Sequence, residues 1–170
     1  MIATNWAMRQ LAGSDPLALA GPEAVTPADR EVLASGWKTE PSGANVLADL
    51  RAGYHGPAAR SGDLTGYEAA VNGRGVADQD IVAEGKARER ELLVRAISYA
   101  KQALVEAREL PDRDQLTAVV SLSMSGDDVP VPTAKVTYYV QRDDERPYLR
   151  DVEGYAFESM LVFDYAAATG

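Results

Sequence analysis

Cysteine is absent from this 170-residue sequence, and histidine occurs only once, as His55. The lack of cysteine excludes disulfides, thiolate nucleophiles and cysteine metal sites, and it fits a reducing compartment. A zinc site would have to combine one imidazole with carboxylates, which is an uncommon ligand set. We therefore expect a cytoplasmic protein that uses no metal and no cofactor.

Long apolar runs are also missing. No stretch approaches the about 18 consecutive apolar residues that a membrane-spanning helix needs. Residues 1–13 lack the basic segment and the apolar run of a secretory signal. The sequence thus predicts neither a membrane partner nor a signal peptide.

Basic residues are fewer than acidic residues. The chain has 17 Lys and Arg against 26 Asp and Glu, a net charge of −9, and residues 113–170 alone hold five basic and ten acidic residues. An acidic surface repels phosphate backbones, so we do not expect nucleic acid as a partner. The length is that of a single domain, long enough to bury a substantial core.

One helical pattern dominates the chain, over residues 78–110. Within it the apolar residues recur every three or four positions, which indicates a core-facing stripe. The members of this stripe are Leu93, Ile97, Ala100, Leu104 and Ala107. The middle third of the segment is charged, so either Gly85 marks a bend or a charged part of the helix projects past the rest of the molecule. We favour the projecting helix.

The hydrophobic period changes from 3.6 to 2 after Pro111, which predicts a C-terminal antiparallel sheet of at least three strands over residues 114–166. The strands are expected to start at Leu116, near Thr133 and at Tyr155, with Pro130 and Pro132 delaying the second one. In the third strand, one set of side chains should face the long helix and the other set should face away. The first set is Tyr155, Phe157, Leu161, Phe163 and Tyr165, and the second is Met160 and Val162.

Residues 1–77 read as short helices and loops. Helices are predicted from Thr4, from Pro27 after an N-capping Thr26, and after Ser42, where Val46 and Leu47 would be helical. Residues 53–77 are rich in glycine and predict a long loop. Together these patterns indicate a single α+β domain.

Several polar motifs are compatible with chemistry but have simpler structural explanations. The acidic clusters are Asp78 with Asp80, Asp127 with Asp128, and residues 143–145. None has the spacing of a calcium-binding loop, and acidic residues are common at helix starts and in turns. No serine lies in a nucleophile-elbow pattern, so a catalytic role for His55 is not favoured.

Three arginines, Arg142, Arg146 and Arg150, are spaced four residues apart and could hold an anion if they lay on a helix. Pro147 opposes that helix, and the same stretch contains five acidic residues. We therefore interpret the arginines chiefly as partners of neighbouring carboxylates.

Two functions remain open. The first is a non-catalytic protein-interaction protein, an assembly subunit or an immunity or inhibitor protein, which binds another protein or a second copy through the outer face of the C-terminal sheet. Matching register would place Val119, Tyr139, Met160 and Val162 on that face, although the N-terminal helices could cover it instead. The alternative is an enzyme or small-molecule binding domain with a pocket between helix and sheet. That pocket would be lined by His55, Tyr138, Tyr155 and Phe157.

Overall fold

The computed structural model describes residues 1–126 and 128–170 and confirms the α+β architecture. The helices in this part of the chain are α1 (Trp6–Ala12), α2 (Pro27–Ala34), α3 (Ala48–Ala52), α4 (Leu64–Val71), α5 (Gly85–Glu106) and α6 (Tyr165–Thr169). The strands are β1 (Ile2–Thr4), β2 (Trp37–Thr39), β3 (Asn45–Leu47), β4 (Arg74–Gly75), β5 (Leu116–Ser125), β6 (Val131–Val140) and β7 (Glu158–Asp164).

Five strands form the main antiparallel sheet, in the order β1-β7-β5-β6-β4. The strand β6 begins slightly before its predicted start near Thr133, because its ladder with β5 begins at Val131 and places Pro132 opposite Met124. On its other side, β6 is paired by β4 only at Lys135 and Val136. Pro132 therefore lies at a free edge, where a missing N–H costs no ladder hydrogen bond.

A second, two-stranded sheet pairs β2 with β3 and corrects the predicted third helix. Val46 pairs with Lys38, Leu47 pairs with Trp37, and the helix α3 begins only after them. The side chains of Val46 and Leu47 enter different apolar clusters, as alternate residues of a strand do. Residues 53–77 likewise contain α4 and β4, so the predicted loop is interrupted by regular structure.

The long helix α5 is confirmed, but its predicted start at Asp78 is wrong. It begins at Gly85, whose φ of +57° is left-handed, and it spans 22 residues, or about 33 Å. Residues 78–84 instead run beside the helix, where Asp78 binds Arg88 and Asp80 binds Arg95. The favoured projecting helix is thus absent, because these acidic residues fold back onto arginines of α5.

The main core lies between α5 and the face of the sheet that we call the inner face. All five residues of the predicted helical stripe are fully buried there. Tyr99 of α5 meets Tyr138 of β6 edge to face, with ring centroids 5.8 Å apart. Trp37 contacts the same Tyr138 ring at 5.6 Å. These rings fill the centre of the space between the helix and the sheet.

The last strand is shorter than predicted. Leu161 and Phe163 are fully buried in the main core, as expected from the alternation. Phe157, which was expected beside them, is 95% exposed. It precedes the first paired residue of β7, Glu158, so no neighbouring strand holds it against the core. Tyr165 starts α6 instead of extending the strand.

Candidate functional site

The structure brings together all four residues of the predicted interface. Val119 and Val162 are direct partners across β5 and β7, and Tyr139 and Met160 lie in the same apolar cluster on the outer face of the sheet. None of the four is more than 5% exposed. The register that predicted their grouping is therefore correct, but they have almost no contact with solvent.

Residues 142–157, the connection between β6 and β7, bury this outer cluster, and we call them the cover segment. Leu149 and Val152 of the cover segment pack against the cluster. The ring of Tyr148 lies 4.8 Å from that of Tyr139, tilted by 49°. Ala69 of α4 belongs to the cluster as well. The cover segment and α4 thus form the second layer, so the alternative in which this face is covered is the one that the structure shows, with a loop sharing the role expected of helices.

A buried ion pair anchors the beginning of the cover segment. Glu68 of α4 is fully buried and binds Arg142 through both carboxylate oxygens, at 2.7 and 3.1 Å. The same oxygens accept the backbone N–H groups of Asn45 and Val140, both at 2.7 Å. Because the Glu68 carboxylate accepts a hydrogen bond along each of its lone-pair directions, its negative charge is well compensated despite its burial. The network joins α4, β3, β6 and the cover segment.

Glu145 supplies a second anchor. Its two carboxylate oxygens accept the N–H groups of Leu64 and Thr65, at 2.8 and 2.7 Å, and so cap the first turn of α4. Burial raises the pKa of Glu145, but the hydrogen bonds from Thr65 and Leu64 outweigh it, and the net pKa is lowered. Glu145 of the cover segment thus serves as a structural anchor.

The acidic cluster before α5 has a comparable role, whereas Asp128 is exposed. Asp78 and Asp80 bind arginines of α5, as given above. Asp127 lies outside the described residues. Within residues 1–126 and 128–170, no three His, Asp or Glu side chains are grouped so as to hold a metal ion.

The three spaced arginines are separated in the structure. Arg142 is committed to Glu68, whereas Arg146 and Arg150 line a shallow hollow of about 510 Å³ on the outer surface of the cover segment. Tyr148 and Tyr155 line the same hollow. Arg146 and Arg150 are both exposed, and neither forms an ion pair with any residue that the structure describes. Asp151 lines the hollow as well.

The residues of the alternative pocket are not brought together. His55 lies in an exposed loop between α3 and α4, and Tyr138 lies at the centre of the inner core. Tyr155 lies on the cover segment and Phe157 extends into solvent. The Tyr138 hydroxyl donates to the Tyr99 carbonyl at 3.4 Å, in the space where the pocket was expected.

Glu68 is the structural residue that sequence reasoning missed. Its signal was present, since it is the one charged residue in the otherwise apolar run of residues 67–71. Its partner Arg142 is 74 positions away, and no local pattern connects the two.

Comparison of the chain with protein-family models, with curated proteins and with solved structures finds no match. In the part of the chain that the structure describes, no helix is both long enough and apolar enough to cross a membrane.

Proposed function

We propose that this chain is a non-catalytic protein-interaction protein, a subunit of an assembly or an immunity or inhibitor protein. Its partner contacts the outer side of the C-terminal sheet. The observation that supports this proposal is the hollow on the cover segment, where two arginines that pair with no carboxylate among the described residues stand beside Tyr148 and Tyr155. Tyrosine and arginine are the residue types that, with tryptophan, contribute most to binding energy at protein interfaces.

The cover segment is also suited to binding because it is held in place. Tyr148 rests on the buried ring of Tyr139, and the ion pair of Arg142 with Glu68 fixes the start of the segment. A side chain that is already ordered loses less conformational entropy when a partner binds. The hollow therefore offers a preorganised surface instead of a flexible loop.

The buried residues Val119, Tyr139, Met160 and Val162 support this surface from below. Direct contact of a partner with them would require Leu149 and Val152 to leave the outer cluster. Exposing that apolar area would cost free energy before any contact formed. The proposal therefore places the partner on the cover segment.

The charges favour a partner of a particular kind. Arg146 and Arg150 would pair with carboxylates, which arginine binds in a bidentate manner. Two copies of a chain with net charge −9 repel each other at long range, so a different protein with an acidic contact surface is favoured over a homo-oligomer.

The test is a charge reversal at the hollow. In quantitative co-purification, the double variant Arg146→Glu/Arg150→Glu should recover at least about tenfold less partner than the wild type, because two attractive contacts become repulsive. The matched control is Arg60→Glu/Arg108→Glu, which changes two exposed arginines elsewhere by the same total charge. Circular dichroism should show both variants folded.

Light scattering on the wild-type chain accompanies this experiment. Equal recovery of partners by the hollow variant and the control would contradict the proposal. A strictly monomeric wild-type protein that recovers no partner at all would contradict it as well.

A further inference from the structure

Asparagine occurs three times in the chain, and one of the three precedes a glycine, at Asn72–Gly73. This pair is chemically labile, because glycine has no side chain to keep its own amide nitrogen away from the asparagine side chain. The nitrogen gives up its proton, attacks Cγ and expels the side-chain amide as ammonia, which leaves a five-membered succinimide ring. Water then opens the ring and produces aspartate or isoaspartate.

The other two asparagines are less reactive by their sequence. Asn5 precedes Trp6 and Asn45 precedes Val46. Both following residues are bulky, and their side chains hinder the approach of the backbone nitrogen to Cγ. Deamidation is therefore expected at one position of this chain.

The side chain of Asn72 is fully buried where α4 ends, and both ends of its amide are hydrogen-bonded. Its oxygen accepts the Leu47 N–H at 3.0 Å. Its nitrogen donates to the carbonyl oxygens of Asn45 and Tyr138, at 2.9 and 3.4 Å. These bonds join α4 to β3 and to β6. Because the three backbone groups need one acceptor and two donors on a short side chain, the position suits asparagine.

Glycine is required beside it. A Cβ atom at position 73 would lie 2.9 Å from the carbonyl oxygen of Ala69 and 3.1 Å from Cε of Lys135. The first of these contacts is with the backbone of α4, which cannot rotate away as a side chain can. Larger residues, which would slow the deamidation, are thus disfavoured by packing. The labile pair is a consequence of the fold.

The folded chain protects Asn72 from this reaction. Ring closure requires Cγ to approach the Gly73 nitrogen, whereas the three hydrogen bonds hold the side-chain amide against β3 and β6. The ψ of Asn72 is 2°, so the Gly73 nitrogen eclipses the backbone nitrogen of Asn72 and not its Cβ atom. Burial also keeps away the water that opens the ring. The reaction therefore requires α4 to leave β3 and β6.

The product of the reaction does not fit the native site. Deamidation replaces the donating nitrogen of Asn72 by a carboxylate oxygen, which would face the carbonyl oxygens of Asn45 and Tyr138. These oxygens are all acceptors, so no hydrogen bond forms between them, and a buried negative charge would keep only the Leu47 N–H as a donor. Isoaspartate also lengthens the backbone between α4 and β4. Both products therefore oppose refolding.

We propose that Asn72 is a site of spontaneous deamidation that the fold protects, and that its conversion makes prolonged unfolding irreversible. A chain that refolds promptly keeps Asn72. A chain that stays unfolded acquires aspartate or isoaspartate and cannot rebuild the contacts of α4 with β3 and β6. This property does not depend on the partner proposed for the cover segment.

The experiment compares folded and unfolded samples of the same chain. Wild-type protein is incubated at neutral pH in buffer and in concentrated guanidinium chloride, and mass spectrometry of digests follows each asparagine. In the denaturant, Asn72 should convert while Asn5 and Asn45 remain largely unconverted. In buffer, the rate at Asn72 should be at least about a hundredfold lower, because it scales with the fraction of chains in which α4 is detached.

Refolding tests the second half of the proposal. When the denaturant is diluted, only chains that kept Asn72 should return to the native state, and the converted chains should remain in the unfolded or aggregated fraction. The matched control is a sample held unfolded for the same time at mildly acidic pH, where the Gly73 nitrogen keeps its proton. That sample should refold fully.

A variant isolates the effect of the product. Asn72→Asp should lose the native circular dichroism or unfold at a much lower denaturant concentration than the wild type. Gln10→Glu makes the same change from amide to carboxylate at an exposed position, and its unfolding midpoint should stay close to that of the wild type.

Four outcomes would overturn the proposal. The first two are equal conversion of Asn72 in buffer and in denaturant, and conversion of Asn5 or Asn45 as fast as that of Asn72. The others are full refolding of converted chains and an Asn72→Asp variant as stable as the wild type.

Discussion

The two faces of the main sheet are both apolar, yet they are covered by different kinds of structure. The inner face packs against a 22-residue helix and the N-terminal half of the chain. The outer face packs against Ala69 of the short helix α4 and against an irregular connection that contributes only a few apolar side chains, mainly Leu149 and Val152. Burial on the outer face thus depends on polar anchors at the ends of a loop, whereas burial on the inner face depends on continuous apolar packing.

Neighbouring residues on the same strand make this contrast measurable. Val119 and Val120 of β5 face opposite sides, and each is at least 95% buried. On β6, Tyr138 packs on the inner face and Tyr139 packs on the outer face. These residues are buried to similar extents on both faces. We nevertheless expect substitutions on the two faces to change the free energy of unfolding by different amounts.

The largest effect should come from removing the anchor of the outer layer. Glu68→Ala leaves the partly buried Arg142 without its partner and deprives two backbone N–H groups of their acceptor. We expect the free energy of unfolding to fall by about 3–5 kcal/mol, measured by denaturant titration. Glu109→Ala, at an exposed ion pair, should change it by less than about 0.5 kcal/mol.

Hydrogen exchange on the Glu68→Ala variant sharpens the comparison. Amide protection in residues 142–157 should fall further than protection in α5, because the variant detaches the cover segment first. Uniform loss of protection would mean that the two layers unfold as one unit.

A smaller effect is expected from matched valines. Each Val→Ala change removes two methyl groups, a transfer cost of about 1.6 kcal/mol. Val120→Ala should cost about 2–3 kcal/mol, because α5 cannot close the resulting cavity. Val119→Ala should cost about 1–2 kcal/mol, because the cover segment can relax toward the sheet. Equal losses in thermal or denaturant unfolding would show that the cover segment is as rigid as the helix.

Local periodicity explains which parts of the fold the sequence could predict. The stripe from Leu93 to Ala107 and the alternation in β5 to β7 repeat over several turns or residue pairs, so their buried faces could be assigned correctly. The start of α5 could not, because the acidic residues before Gly85 bind arginines that lie ten or more positions away. Such ion pairs between distant residues produce no periodic pattern in the sequence.

The candidate site, too, could be predicted from the sequence only in part. The grouping of Val119, Tyr139, Met160 and Val162 follows from strand register and was predicted. Their burial was left as an alternative, and burial by the cover segment was not predicted, since the apolar residues of that segment are separated by charged ones and form no regular pattern. The exposure of Phe157 was missed because alternation alone does not show where a strand stops.

The smallest expected signal is the alkaline titration of the two tyrosines on β6. Burial raises the pKa of both Tyr138 and Tyr139, since an ionised phenolate would lose its hydration. An unfolded tyrosine ionises near pH ~10, so the stability that these groups contribute is complete below that pH and is lost as the pH rises above it.

The rates of ionisation should distinguish the two faces. After a jump to alkaline pH, Tyr139 should ionise when the cover segment opens, and Tyr138 should ionise only on global unfolding. Stopped-flow phenolate absorbance measures both, with Tyr139→Phe and Tyr138→Phe assigning the phases. A single phase that disappears in neither variant would contradict the idea that the outer layer opens first.

The pairing of β1 with β7 has a consequence for how the chain folds during synthesis. Asn5 accepts the N–H of Met160, a residue 155 positions later, and Ile2 pairs with Phe163. The β5–β6 hairpin can form as soon as it leaves the ribosome, because its partners are close in sequence. At about 5–20 residues per second, β1 must wait roughly 8–30 s for its neighbour. Of the five strands in this sheet, the earliest in the sequence therefore cannot join before the last one is made.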